Sequence, residues 1–168
     1  MPPDGGTAVI SSVLAFDHQG DWTALNGAVS QELGNVSEGT AVLRLSAQSW
    51  TSLTSRTFST TELEGITSNL AFDIFVPDLP ADFYWMGGMN AYVECPSAGL
   101  WRTWLGYHAL QILFDNEYNR IEFRLPPHVV SVLNGNHSDC RWGLDFSTNP
   151  IFGGLLVDGG GFVPETNQ

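Results

Sequence analysis

Residues 89–95, Met-Asn-Ala-Tyr-Val-Glu-Cys, alternate between apolar and polar side chains. Residues 140–146, Cys-Arg-Trp-Gly-Leu-Asp-Phe, and residues 119–125, Asn-Arg-Ile-Glu-Phe-Arg-Leu, repeat the alternation. Because successive side chains of a β-strand point to opposite faces, each stretch predicts a strand with one apolar face and one polar face. The apolar faces predict a core, and the polar faces are candidate binding surfaces.

Short β-rich runs recur along the whole chain between turn residues, which include 18 Gly and 9 Pro. This spacing is typical of a β-sandwich or barrel. The predicted strands are Val9–Phe16, Thr40–Ser46, Leu53–Phe58, Leu70–Val76, Met89–Glu94, His108–Leu113, Asn119–Leu125, Cys140–Phe146 and Leu155–Phe162. After two prolines, residues 128–133 are expected to form a short helix or a turn. The sequence therefore predicts one all-β, antiparallel β-sandwich domain over residues 1–168, with frayed ends at 1–8 and 164–168.

The charge balance limits the possible partners. The chain of 168 residues has a net charge of −12, with six Arg and no Lys. Nucleic acid and anionic membranes both require clustered cations, which this sequence lacks. The same deficit argues against strongly acidic polysaccharides, so we expect a neutral partner.

The two cysteines, Cys95 and Cys140, both fall on predicted apolar strand faces. An exported domain could join them in a disulfide, whereas two buried free thiols are the alternative. The four His are far apart in sequence and no Cys-x-x-Cys pair occurs. A metal site built on imidazole or thiolate ligands is therefore not expected.

Three segments carry a resemblance to a known family. Residues 16–22, Phe-Asp-His-Gln-Gly-Asp-Trp, resemble the opening motif of galactose-binding-like jelly rolls, which include the carbohydrate-binding modules of bacterial glycanases. Residues 38–45, Glu-Gly-Thr-Ala-Val-Leu-Arg-Leu, and residues 155–163, Leu-Leu-Val-Asp-Gly-Gly-Gly-Phe-Val, are similar to an internal strand and to the closing strand of that family. The resemblance implies a secreted jelly roll that binds a polysaccharide or oligosaccharide and is tethered to a catalytic domain.

The same resemblance implies a structural calcium ion held by Asp17 of the opening motif and Asp158 of the closing motif. Calcium takes six to eight hard oxygen ligands, so carboxylates suit it. Gly159 stands where the family has a second acid. The alternative is that Asp17 caps a turn and Asp158 is an exposed strand end.

Aromatic residues form the first candidate binding surface. Trp85 follows Tyr84, and Trp101, Arg102 and Trp104 lie close together, with Gly and Pro around both segments. We interpret these segments as loops at strand ends, where exposed aromatic side chains often mark a binding site. The alternative is that these Trp side chains plug the end of the sandwich. Trp22 and Trp142 are assigned to the core, and Trp50 fits either role.

The second candidate surface is the polar strand face. Its members are Asn90, Tyr92, Glu94, Gln111, Arg141 and Asp145. In this hypothesis Tyr92 stacks on a sugar ring while the others bind hydroxyl groups. The alternative is a solvated face with weak ion pairs.

Catalysis is not expected. Candidate glycosidase acids are Glu94, Glu122 and Asp145, but no tight acid pair is evident. His108 and Arg124 are candidate lyase residues, but the small number of cations argues against an acidic substrate. A Gly-x-Ser-x-Gly nucleophile motif is absent from the sequence. The predicted function is non-catalytic binding of a neutral glucan, xylan or mannan. A structural, adhesin-like sandwich and a jelly-roll glycosidase or lyase are the alternatives.

Overall fold

The structure of the protein, a computed structural model, describes residues 9–10, 14–37, 39–78, 87–113, 115–148 and 154–164. Nine strands and one α-helix are present within these ranges: β1 (Val9–Ile10), β2 (Trp22–Glu32), β3 (Val42–Ser55), β4 (Asn69–Val76), β5 (Gly88–Cys95), β6 (Leu100–Ala109), β7 (Glu117–Arg124), α1 (Pro127–Leu133), β8 (Arg141–Thr148) and β9 (Leu155–Val163). No helix in these ranges is long and apolar enough to cross a membrane.

All of these strands pair antiparallel, in the order β6-β5-β8-β3-β9-β4-β7, with β2 on β3 and β1 on β9. The long strand β3 belongs to both layers of the sandwich. Its residues 49–54 pair with β8, whereas residues 43–45 pair with β9. The protein is therefore an antiparallel β-sandwich of jelly-roll type, as the sequence predicts.

The core lies between the two layers, and the alternation in the sequence selects its members. Met89, Ala91 and Val93 of β5 are buried in it, as are Leu144 and Phe146 of β8. The assignment of two tryptophans to the core is confirmed. Trp22 stacks on Phe16 with ring centroids 4.5 Å apart, and Trp142 packs against Phe58 at 5.7 Å.

Several predicted strand boundaries are wrong. The sequence does not predict β2, the predicted strands Thr40–Ser46 and Leu53–Phe58 both overlap the single strand β3, and residues 14–16 are not part of a strand. Residues 100–104, interpreted as a loop, lie within β6, and residues 110–112 form a 3₁₀ turn instead of extending the predicted strand. The reason is that β6 is an edge strand with outward-facing aromatic residues and bulges, so its alternation is broken. The expected short helix after the two prolines is present as α1. The termini, residues 1–8 and 165–168, lie outside the described residues.

Cys95 and Cys140 form a disulfide, which settles the choice that the sequence left open. Cys95 ends β5, and Cys140 precedes β8 and forms an isolated β-bridge with Phe58. The bond therefore joins neighbouring strands at one end of the same layer.

Reduction of this disulfide is expected to destabilise the fold. The two cysteines are 45 residues apart in sequence, so the cross-link removes loop-closure entropy from the unfolded chain. This effect amounts to at most about 4 kcal/mol. Urea unfolding with and without reductant measures the change, and a Cys95→Ala/Cys140→Ala double variant, insensitive to reductant, is the control. An unchanged urea midpoint on reduction would contradict the prediction.

Candidate functional site

The outer surface of the β6-β5-β8-β3 layer gathers most of the predicted binding residues. Directly paired residues of antiparallel strands share a face, and Asn90 pairs with Asp145 while Glu94 pairs with Arg141. The neighbouring strands add residues to this face through the same pairing. We call this surface the polar face; it consists of Trp104 and Tyr107 of β6, Asn90, Tyr92 and Glu94 of β5, Arg141, Asp145 and Ser147 of β8, and Trp50, Ser52 and Thr54 of β3.

Tyr92 is a structural member of the polar face. Only 3% of its surface is exposed. Its ring lies across Gly143 of β8, where a Cβ atom would collide with it. Its hydroxyl lies 3.4 Å from Ser52 Oγ and 3.3 Å from Thr54 Oγ1 of β3. The hypothesis that Tyr92 itself stacks on a sugar is therefore not supported, because the ring is covered.

Arg102 provides that cover. Its guanidinium carbon lies 4.4 Å from the centre of the Tyr92 ring and 5.0 Å from that of Trp104. It also forms an ion pair with Asp145, which is 4% exposed. Arg102 adopts a φ of 44°, a left-handed conformation that is unusual for a non-glycine residue. Its place over Tyr92 is thus set by cation–π contact and by charge together.

Asp145 accepts the Arg102 bond through Oδ2, while its buried Oδ1 has no hydrogen-bond partner among the described residues. This buried carboxylate orients Arg102 and is poorly accessible to a ligand. Asn90 and Glu94 of β5 are half-buried, and Arg141 of β8 is exposed. Those three can offer an amide, a carboxylate and a guanidinium to solvent.

Tyr107 is the residue that sequence analysis missed. Its ring lies across Gly88 of β5, where a Cβ atom would collide with it, yet the residue is 60% exposed. The side chain therefore lies low on the sheet with much of its surface open. A glycine inside a strand marks the close approach of another group, so Gly88 and Gly143 were the available signals.

Three tryptophans among the described residues are exposed on strands of the same layer. Trp101 is 73% exposed and Trp104 is 50% exposed, and both belong to β6 instead of the predicted loop. Trp50 of β3 is 38% exposed on the opposite side of the polar face. Gln111 is exposed in the 3₁₀ turn that follows β6, off the strands of the polar face. Trp85 lies outside the described residues.

The candidate glycosidase acids are poorly placed as a pair. Asp145 is opposite Asn90, and Glu94 lies four residues further along β5. At a rise of about 3.3 Å per residue the two acids are roughly 13 Å apart, beyond the roughly 5–9.5 Å that glycosidases use. Glu122 lies on β7, in the other layer.

Ser97, His137 and Asp139 form a cluster beside the disulfide. Ser97 Oγ lies 3.1 Å from His137 Nδ1 and donates to Asp139 Oδ1 at 2.7 Å. The hydrogen bond from Ser97 lowers the pKa of Asp139. A catalytic triad needs the imidazole between the hydroxyl and the carboxylate, whereas here the hydroxyl lies between the other two. The cluster is therefore a turn-stabilising network.

Asp17 and Asp158 both bind the turn that precedes β3. Asp17 Oδ1 accepts from the backbone N–H groups of Thr40, at 3.1 Å, and Ala41, at 2.9 Å. Asp158 Oδ2 accepts from the N–H of Ser37 at 2.7 Å, and its Oδ1 accepts from Gly159. No cluster of three or more His, Cys, Asp or Glu occurs among the described residues. The two carboxylates of the calcium hypothesis therefore lie at the same turn, and each already accepts hydrogen bonds from the backbone.

Substitution of Gly143 by alanine is expected to destabilise the polar face, because the new methyl group would displace the Tyr92 ring. Overpacking of this kind costs about 2 kcal/mol. The melting temperature of Gly143→Ala, measured by circular dichroism, should therefore fall by several degrees. Gly20→Ala is the matched control, since nothing lies within 4 Å of its added carbon. Equal melting temperatures for the two variants would show that the Tyr92 ring does not depend on Gly143.

No family model and no curated protein matches this chain. Solved structures do match. One comes from a study of the promiscuous specificity of carbohydrate-binding modules of the β-sandwich superfamily. It has a TM-score of 0.60 at 16% sequence identity, and the match covers 94% of this chain and 63% of that one. A second is the CBM22-1–GH10 module pair of a Clostridium thermocellum endo-1,4-β-D-xylanase complexed with xylohexaose, with a TM-score of 0.54, 11% identity, and coverage of 94% and 28%. A third concerns mannan recognition by a family 27 module, with a TM-score of 0.52, 14% identity, and coverage of 94% and 95%. The chain therefore has the β-sandwich fold of the carbohydrate-binding modules that accompany glycanases.

Proposed function

We propose that the polar face binds a neutral polysaccharide and does not cleave it. The observation that carries the proposal is the Tyr107 ring, which lies across Gly88 and remains open to solvent. Carbohydrate sites combine such a flat ring with polar groups that orient the ligand. The fold shared with xylan- and mannan-binding modules supports the same function.

Sugar recognition also needs hydrogen-bonding groups beside the platform. Asn90 is directly opposite Tyr107 on β5, and Ser147 is opposite Gly88 on β8. Ser147 is exposed and Asn90 is half-buried, so both can reach hydroxyl groups of a sugar lying on Tyr107. Trp104 and Trp101 extend the aromatic surface along β6.

The charges of the polar face favour a neutral ligand. Arg102 is paired with Asp145, and Arg141 is opposite Glu94. Each cation thus has an anion beside it, so a uronic acid would gain little from either arginine. We therefore propose a glucan, xylan or mannan.

The biological role is targeting. A binding module raises the effective concentration of substrate around a tethered catalytic domain. The xylanase neighbour joins such a module to a GH10 domain, which supports this arrangement. Export of the protein is part of the proposal, and the Cys95–Cys140 disulfide supports it, since such bonds persist in oxidising compartments.

Loss of the Tyr107 ring is expected to weaken glycan binding. Tyr107→Ala should lower affinity at least about tenfold, which corresponds to about 1.4 kcal/mol, because the stacking surface is removed. Trp101→Ala and Trp104→Ala should also weaken binding with little change in fold, since both side chains are exposed. Affinity electrophoresis against soluble glucans, xylan and mannan measures the effect, and a reducing-sugar assay tests for cleavage.

Ile112→Ala is the matched control, because Ile112 is exposed but lies off the polar face. Its mobility in the gels should equal that of the wild type. Release of reducing sugar by the pure domain would overturn the non-catalytic assignment. No retardation by any glycan would overturn the glycan-binding proposal and favour a structural or protein-interaction sandwich.

A structural calcium ion remains a proposal that rests on Asp17 and Asp158. Both hydrogen bonds to Asp17 end on Oδ1, so Oδ2 is the atom that a cation would use. An ion there would join the first and last parts of the chain through the turn before β3. No step of glycan binding depends on it.

Chelation tests this proposal. An ion that binds only the folded state stabilises it by mass action, so EDTA treatment and dialysis should lower the melting temperature. Added calcium should restore it in a concentration-dependent way, and an Asp17→Asn variant should respond to neither treatment. An identical melting curve before and after chelation would remove calcium from the description.

A further inference from the structure

A polar pocket lies where the β2–β3 pair bends. It has a volume of about 530 Å³, within the range of roughly 300–1,000 Å³ typical of ligand pockets. Its lining residues are Asn26, Gly27 and Ala28 of β2 and Ser46, Ser49 and Trp50 of β3. Of these residues only Trp50 also belongs to the polar face, and the other five have no role in ligand binding above.

The bend is built into the pairing of the two strands. Gly27 pairs with residue 47 and Leu25 pairs with Ser52, so residues 48–51 are opposed only by Asn26. Asn26, with a φ of 56°, and Ser49, with a φ of 48°, both adopt left-handed conformations. Thr51 Oγ1 donates to the carbonyl oxygen of Asn26 at 2.9 Å, which fixes the bend. The pocket therefore has a defined shape.

Close packing at Gly27 reinforces that shape. A Cβ atom there would lie 2.7 Å from both Ser46 O and Thr51 Cγ2. Only glycine permits this approach without a shift of the backbone. The two strands thus meet tightly at Gly27, while the lining residues Ala28 and Ser46 are exposed.

Trp50 connects the pocket to the polar face. Tyr107 lies over Gly88, Gly88 pairs with Ser147, and Ser147 pairs with Trp50. These residues form one row across β5, β8 and β3. With strands about 4.8 Å apart, the row from Gly88 to Trp50 is roughly 10 Å long. The next strand in that direction is β2, and the pocket begins there.

The lining matches an uncharged, hydroxyl-rich ligand. It offers the Asn26 amide, the Ser46 and Ser49 hydroxyls and the half-exposed Trp50 ring. None of the described residues that line it is charged. A planar aromatic group beside a few hydrogen-bonding groups is the combination that a sugar ring requires.

We propose that this pocket is an end subsite, which binds one further neutral sugar residue of the glycan that stacks on Tyr107. The inference rests on the proposed function, because it needs a chain lying along the row from Tyr107 to Trp50. It adds that affinity depends on chain length, since only a ligand that extends past Trp50 reaches the pocket.

Filling the pocket tests the proposal. Ala28→Phe places a ring in the pocket from an exposed position, and Ser46→Leu fills it from the opposite strand, which guards against failure of one variant to fold. Ser30→Phe is the matched control, because Ser30 is exposed on the same strand but does not line the pocket. Calorimetry with linear oligosaccharides, from the disaccharide to the hexasaccharide of the best-bound glycan, gives affinity against length.

We expect wild-type and Ser30→Phe affinities to keep rising with length, while the filled variants reach a plateau earlier and lose roughly fivefold on the hexasaccharide. Equal affinities of wild type and both filled variants at every length would overturn the subsite while leaving the proposed function intact. An equal loss on the shortest and longest ligands would also overturn it, since the change would then act on the polar face. Failure of the wild type to bind any glycan would overturn both proposals.

Discussion

The packing of Tyr92 on Gly143 is the contact on which the polar face depends. The ring crosses from β5 over β8, and its hydroxyl lies next to Ser52 and Thr54 of β3. Three strands are thereby joined on the outer surface of the sheet by one side chain. Arg102 then lies on this ring and pairs with Asp145, which places a cation on the face without leaving it uncompensated.

The contact between Tyr107 and Gly88 leaves an aromatic ring exposed, whereas the contact between Tyr92 and Gly143 is buried. Tyr107 crosses Gly88 as Tyr92 crosses Gly143, but no described residue is found over it as Arg102 lies over Tyr92, and Tyr107 is 60% exposed. One tyrosine therefore joins strands of the sheet, and the other leaves the aromatic surface that the proposed function uses. The bend of β3 continues this surface, because Trp50 belongs both to the row that starts at Tyr107 and to the pocket beside β2.

The sequence placed several of the candidate residues on the correct strand face, for a physical reason. A two-residue period assigns Asn90, Glu94, Arg141 and Asp145 to faces with certainty once each strand is recognised, and the pairing of β5 with β8 brings them together. The period does not reveal how far a long side chain reaches across neighbouring strands. Because side chains cross neighbouring strands, Tyr92 is buried and Asp145 is paired with Arg102, whereas Tyr107 stays exposed. β6 was misassigned because its bulges and exposed aromatic residues break the alternation.

The sequence by itself determined the all-β class and the core faces of the central strands, and its charge balance is the basis for expecting a neutral ligand. These properties follow from local alternation and from the count of charges, which need no knowledge of partners. Only the tertiary structure decided that Cys95 bonds Cys140, that two glycines lie under two tyrosines and that β3 bends across both layers. Each of these depends on which strands become neighbours, and strand order is set by contacts between residues far apart in the chain.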